Sequence, residues 1–386
     1  MSRDALRRAG EVALVVSAVL LGYSECLVNG FAWDDHLYVT ANPFLADPAN
    51  ARHLLSPGYY LSAQEVLSGT RPVFLASLLA DRALYGLQPW GHHLTSVLLH
   101  AANSLWVYAL AGVLVPAWPL PLFAGLIFAL HPLQVEAVAG VSFRATLLAA
   151  FFVFAALWTH LRARGPWSRR AAALVAASAA LFGLGLLSKE TAACLPLLLL
   201  LVEWAYPAPD RARRLAWTAA AYAPVAAAYA AFWARRFRYE GMGPFPAAAD
   251  PRGVLPGAPP LAKWTAFIPS GWEWAPLRDD PSAWVWTHAG ILAEYARLVL
   301  LPYDLVADRA PAVLGGPAEP RALLSAAALA ALAAAAWHLR RRRPGASFGV
   351  AWFFATLLPV AGLLPVYAIM AERYLYIGLA GAAWAA

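Results

Sequence analysis

The side chains able to do chemistry lie at the edges of apolar runs. Asp34 and Asp35 are adjacent carboxylates directly after the first long apolar run, Val12–Val28. Arg71 follows in a long polar tract. His131, Glu136 and Arg144 fall around the end of a later apolar block, and Lys189–Glu190 and Glu372–Arg373 are neighbouring acid and base. Ionisable groups at such a depth cost free energy unless they bind, transfer a proton or pair. A carboxylate can take the proton of an incoming hydroxyl as a general base. Arginine holds a phosphate by a bidentate fork and lysine holds it as a point charge. Acids and cations gathered at a membrane surface therefore suit glycosyl transfer from a polyisoprenyl-phosphate carrier, whose phosphate lies at that level.

The elements that must position these groups are membrane helices. The chain has 386 residues, of which 61% are hydrophobic and 13% charged, where a soluble domain carries roughly a quarter charged residues. Apolar blocks fall at about 11–29, 94–115, 119–138, 145–162, 171–188, 191–206, 215–234, 323–339, 348–366 and 374–386. Most are near the length of about 20 residues that crosses a bilayer. The expected fold is an all-α, multi-pass membrane protein of about ten transmembrane helices, with external loops carrying interfacial helices. The whole of 1–386 reads as one membrane domain. Its last block holds only about 13 apolar residues, short of a span, so a chain continuing beyond residue 386 is expected.

Arginine clusters set the orientation: Arg3, Arg7 and Arg8; Arg162, Arg164, Arg169 and Arg170; Arg211, Arg213 and Arg214; Arg340 to Arg343. By the positive-inside rule these are cytoplasmic loops of a cell-membrane protein with a cytoplasmic N-terminus. Residues 30–92 and 235–322 are then large external loops, and all ten candidate residues share the external face. Residues 288–302 are apolar but short, and carry Glu294 and Arg297. They read as an amphipathic helix on that face. The tryptophans of 235–287, including Trp264, Trp272, Trp274, Trp284 and Trp286, read mainly as headgroup anchors.

Each candidate also has a plain structural reading. Asp34–Asp35 suits a cap or a solvated loop. His131-Pro132 marks a kink, since proline breaks the backbone ladder. Glu136 with Arg144 suits a structural ion pair, and Lys189–Glu190 an interfacial pair reaching toward water. Scattered structural pairs would occupy both faces; the confinement to one face favours a site. The sequence lacks a phosphate-binding Gly-x-x-x-x-Gly-Lys-Ser/Thr loop, His-Glu-x-x-His and Cys-x-x-Cys. The basic runs carry no interleaved aromatics, which excludes nucleic-acid binding as the leading function. Cys26 and Cys194 both lie in apolar helices, so no disulfide framework is implied.

The chain resembles the C-type integral-membrane glycosyltransferases, closest to the transmembrane O-mannosyltransferases that carry tetratricopeptide repeats, and their bacterial relatives. The residues that carry the resemblance are Phe31-Ala-Trp-Asp-Asp35, Asn42-Pro43, Arg71-Pro72, Gly91-His-His-Leu-Thr-Ser-Val-Leu-Leu-His100, His131-Pro-Leu-Gln-Val-Glu-Ala-Val-Ala-Gly-Val-Ser-Phe-Arg144, Leu187-Ser-Lys-Glu190 and Ala371-Glu-Arg-Tyr-Leu-Tyr376. The resemblance implies that Asp34 or Asp35 is the catalytic base. It implies that Arg71, Arg144, Lys189 and Arg373 contact the carrier phosphate, and that His131, Glu136, Glu190 and Glu372 complete the site. The implied reaction is inverting transfer of a sugar, mannose in the nearest relatives, from a polyprenyl-phosphate to an external hydroxyl of a protein Ser/Thr or a glycan. Two departures stand out: the helical repeats are absent, and Ser68-Gly-Thr precedes Arg71 where an aromatic is expected. Some relatives use a divalent cation at their carboxylates, but one adjacent pair offers too few ligands to argue one here. A transferase or polymerase with a different lipid-linked donor is the first alternative. A secondary transporter is the second, disfavoured because its charges would lie at the bilayer midplane within repeats. A structural scaffold is the third.

Overall fold

The computed structural model describes residues 2–56, 71–164, 168–207, 210–239, 277, 280–361 and 368–385. Residues 240–276 of the 235–322 loop, with Trp264, Trp272 and Trp274, and the Ser68-Gly-Thr turn lie outside them. The protein is an all-α membrane protein. Its helices are α1 (Arg3–Gly22), α2 (Pro72–Tyr85), α3 (Pro89–Leu114), α4 (Leu120–Leu130), α5 (Val135–Ala139), α6 (Arg144–Arg162), α7 (Arg169–Ser188), α8 (Leu195–Ala205), α9 (Arg211–Tyr239), α10 (Pro281–Leu300), α11 (Pro320–Leu339), α12 (Pro344–Leu357) and α13 (Gly378–Ala385).

The ten apolar blocks do not map one to one onto long helices. Among the described residues five helices are long and apolar enough to span, or six if the bent pair of α4 with Pro132–Ala139 counts as one span. The block at 191–206 splits into a short helical turn, Glu190–Cys194, and the 11-residue α8. At 1.5 Å per residue, α8 covers only about 16 Å. Apolar composition runs on through turns that are buried by protein rather than by lipid.

The bend is where the sequence places a kink. Pro132 has no N–H to continue the ladder, and α4 meets the following segment at 52°. The His131 side chain completes the corner. Its Nδ1 accepts the Leu133 N–H at 3.3 Å and its Nε2 donates to the Val299 carbonyl at 3.0 Å. The imidazole is thereby fixed as the neutral Nε2–H tautomer, tying the bend to the end of α10.

The core forms where α3, α4, α6 and α13 meet, around Val107, Leu110, Phe128, Phe154, Trp352 and Tyr376. A polar pin runs through it. The Tyr376 hydroxyl donates to His100 Nδ1 at 2.7 Å and accepts from Asn103 Nδ2 at 3.1 Å. His100 Nε2 in turn donates to the Ala129 carbonyl at 3.0 Å, and Asn103 to that of Leu147 at 2.9 Å. Buried polar groups of this kind are tolerated because nearly all find a partner; Asn103 Oδ1 has none among the described residues. The motif residues His100 and Tyr376 thus hold α3, α4, α6 and the segment before α13 in register. Glycines Gly349 and Gly381 let α12 and α13 touch backbone to backbone: a Cβ on either would collide with the other's carbonyl. Small residues permit such close approach in membrane helices.

Residues 288–300 fall within α10, which begins at Pro281 and ends just before Leu301. One stripe, Ala283, Thr287, His288, Ile291, Tyr295 and Leu298, is buried. The Tyr295 hydroxyl donates to the Ala371 carbonyl at 3.2 Å and accepts the Ala371 N–H at 3.0 Å. This clamps the strand of chain that carries Glu372 and Arg373.

Candidate active site

Four helix ends and two short loops supply the site. The segment after α1 turns sharply at Trp33, whose φ of 50° lies in the left-handed region, a strained setting for a bulky residue. That turn separates the two acids. Asp35 points inward and is 2% exposed. Its Oδ1 accepts the Ser142 N–H at 2.7 Å and its Oδ2 the Ala32 N–H at 3.4 Å. Asp34 points outward and is exposed, close enough to Arg373 to help hold that guanidinium charged. The buried acid anchors the loop to the start of α6, and its neighbour is left available for chemistry.

Two ion pairs stand on either side of a buried lysine. Arg71, at the head of α2, grips Glu190 with both arms of its guanidinium: Nη2 lies 2.8 Å from Oε1, and Nε 3.3 Å from Oε2. Arg373 pairs with Glu136 through Nη1, and its backbone N–H donates to the same carboxylate at 2.6 Å. Lys189, following the last turn of α7, lies between them. Its Nζ donates to Thr146 Oγ1 at 2.8 Å and sits 5.6 Å from the centre of the Tyr374 ring. Only 5% of Lys189 is exposed, and among the described residues no carboxylate lies within 4.0 Å of its ammonium. Arg71, Glu190, Arg373 and Glu136 all act on it electrostatically.

The electrostatics follow from that crowding. Burial, then the nearby Arg71, push the Lys189 pKa from 10.5 down to about 7. Burial works against the Arg71 charge, but Glu190 outweighs it and raises its pKa. Burial likewise opposes the Glu190 carboxylate, while Arg71 and Lys189 together hold its pKa below the ordinary value. Arg373 is also raised: desolvation is the largest influence, and Glu136 overcomes it. The two arginines are permanently charged and committed to their acids. Lys189 alone is poised to gain a full charge when an anion arrives.

The sequence-derived candidates therefore do not all meet. Asp34, Arg71, Glu136, Lys189, Glu190 and Arg373 converge. Arg144 does not join them. Its guanidinium is fully buried, 2.6 Å from Asp81 Oδ2, donating to the His92 carbonyl at 2.6 Å and to Ser96 Oγ at 3.2 Å. The expected Glu136–Arg144 pair is replaced by Glu136–Arg373 and Asp81–Arg144, because residue 144 starts α6 pointing back toward α2 and α3. The expected Lys189–Glu190 pair is likewise replaced by Arg71–Glu190. His131 shapes the bend, as above. Glu372 accepts the Val306 N–H at 2.8 Å and Arg309 Nη2 at 3.1 Å, so it fastens the chain after α10 beside the site. Sequence reasoning missed Thr146 and Tyr374, which touch the lysine, and Phe143, over which Arg373 lies at 4.4 Å. Tyr374 directly follows Glu372-Arg373, and an aromatic adjoining that acid–base pair was the available signal. Among the described residues no three His, Cys, Asp or Glu side chains gather to hold a metal ion.

Comparison with known proteins gives the same direction. Human protein O-mannosyl-transferase TMTC2 is 31% identical over 153 residues, 39% of this chain and 18% of its own length. Human TMTC3 is 29% identical over 159 residues, covering 40% and 17%. Drosophila melanogaster Tmtc2 is 31% identical over 177 residues, covering 44% and 19%. The chain is related to the protein O-mannosyl-transferases. It matches under a fifth of the length of those relatives. No family model and no solved structure matches it.

Proposed function

We propose that the protein is an inverting glycosyltransferase that moves a sugar, mannose by analogy with its relatives' names, from a polyprenyl-phosphate carrier to a hydroxyl of an acceptor protein on the external face. The observation that carries this reading is a buried lysine with no carboxylate partner among the described residues, flanked by two arginine–glutamate pairs and faced by an exposed aspartate. The donor is a phosphodiester with one negative charge. When the bond between the sugar's anomeric carbon and the phosphate oxygen breaks, the electron pair stays on that oxygen and the phosphate gains a second charge. Lys189, with Arg71 and Arg373 beside it, would stabilise the charge as it develops, which is where electrostatic catalysis counts most. Asp34 would take the acceptor hydroxyl proton as its oxygen bonds the anomeric carbon from the opposite side. Direct attack inverts the anomeric centre, and no covalent enzyme intermediate is needed. Asp35 positions Asp34 through the Ser142 N–H. The cytoplasmic N-terminus and external site rest on the arginine-rich loops at the far ends of α6, α7 and α9.

The test is transfer from polyprenyl-phosphate mannose to an acceptor peptide by purified protein. Asp34→Asn is expected to lower turnover by about 10²- to 10⁴-fold, the usual contribution of a general base. Full activity in that variant would sink the reading. A donor panel with diphosphate-linked glycans separates it from transferases with other carriers, and sugar uptake into vesicles without product would favour transport.

A further inference from the structure

A second cationic cluster lies at the other end of the helices. α7 has 20 residues, so its ends are about 30 Å apart: Lys189 marks one, and Arg169 the other. There, at the foot of α6, α8 and α9, two arginines and a histidine converge on one carboxylate oxygen. Glu203 Oε1 accepts from His160 Nε2 at 3.2 Å, Arg164 Nη2 at 3.2 Å and Arg214 Nε at 3.3 Å. Glu203 is 1% exposed, and its Oε2 has no partner among the described residues. One buried acid is thus shared by two arginines. In 162–170 and 203–214 seven arginines, Arg162, Arg164, Arg169, Arg170, Arg211, Arg213 and Arg214, stand against two acids, Glu203 and Asp210.

The arrangement opens toward lipid. Arg164 retains 20% side-chain exposure, and its Nη1 makes no hydrogen bond to the described residues while Nε and Nη2 are spent on Glu203. Trp204, next in sequence to Glu203, and Trp217, three residues after Arg214, are 54% and 47% exposed, and Leu200 is exposed on the same helix as Trp204. Exposed tryptophans mark the headgroup level, so a guanidinium at their height meets lipid phosphate. Arginine presents a planar fork matched to that group.

We propose that this end is a binding site for the phosphodiester of an anionic lipid headgroup, with Arg164 as the contacting residue and Glu203 as the group that orients it. The occupant is lipid rather than a soluble phosphate ester because the cluster is flanked by exposed apolar and indole surface. The site is remote from Asp34, and its readout involves no sugar transfer.

The experiment uses the full chain in nanodiscs of equal phosphatidylglycerol and phosphatidylcholine, extracted and examined by native mass spectrometry. The wild-type protein is expected to retain phosphatidylglycerol in preference. Arg164→Gln should lower that preference about fivefold, the effect of one basic residue near a membrane surface, with an unchanged thermal midpoint showing an intact fold. Arg340→Gln, in a different basic loop, should leave the preference intact. Equal preference in wild type and Arg164→Gln would overturn the proposal, as would an equal loss in Arg340→Gln, which would mean general surface charge. Displacement of the retained lipid by millimolar soluble glycerol phosphate would assign the cluster to a soluble ester and overturn the lipid occupant.

Discussion

Raising the pH from 7 to 9 should weaken donor binding and strengthen the unliganded fold, both through Lys189. Its folded-state pKa is about 7, against 10.5 for an unburied lysine. A phosphodiester donor keeps one charge across this range, so the lysine is the titrating partner. If the bound phosphate restores a fully charged ammonium, the complex takes up a proton above pH 7. Affinity then falls up to about tenfold per pH unit, or about 100-fold and 2.7 kcal/mol by pH 9. Stability has the opposite sign. Between pH 7 and 10.5 the unfolded chain holds the lysine proton and the folded chain does not, so unfolding free energy rises with pH through that window. The assay is donor affinity by tryptophan fluorescence at fixed ionic strength, with thermal unfolding of the empty protein in the same buffers. Lys189→Arg keeps its charge at every pH used and should flatten both slopes. A flat wild-type affinity profile, or an equally steep one in Lys189→Arg, would refute the assignment of the phosphate to this lysine.

The remaining expectations concern the residues around it. Asp34→Asn should leave donor affinity within about twofold while turnover falls about 10²- to 10⁴-fold, since a general base acts on the acceptor proton. Asp35→Asn should lose the charge on the Ser142 cap, costing about 1–3 kcal/mol in unfolding experiments and lowering kcat by misplacing Asp34. Arg144→Met should destabilise the fold by about 3–5 kcal/mol because Asp81 is left buried and unpaired, and Arg144→Met with Asp81→Leu should recover most of it. If the doubly substituted protein folds yet no longer binds donor, Arg144 contacts the phosphate after all. Gly349→Ala should cost about 1–3 kcal/mol by wedging α12 from α13, measured as a lower thermal midpoint.

Six of the residues singled out by the resemblance and the charge pattern lie together, but the ion pairs among them differ from those of the plain structural readings. Arg71 and Glu190 are 119 positions apart, and Glu136 and Arg373 are 237 apart. No local rule links such residues; side-chain reach along one helix covers only three or four positions. Sequence reasoning therefore paired near neighbours, Glu136 with Arg144 and Lys189 with Glu190. The kink at His131 was legible because proline acts on its own backbone. The histidine's partner, the Val299 carbonyl, was not.

What the sequence by itself determined is the class of molecule, the positions of its longest spans and the segregation of charge to helix ends. Those follow from the thickness of the hydrocarbon layer and the cost of placing an ion within it. Tertiary structure alone decided which apolar blocks break into short helices and turns, as 191–206 does, since apolar turns hide against protein as readily as against lipid. It also decided the roles within the acidic pair. Asp34 and Asp35 are chemically identical and adjacent, and a single left-handed turn at Trp33 sends one into the protein as an anchor and the other out to face Arg373.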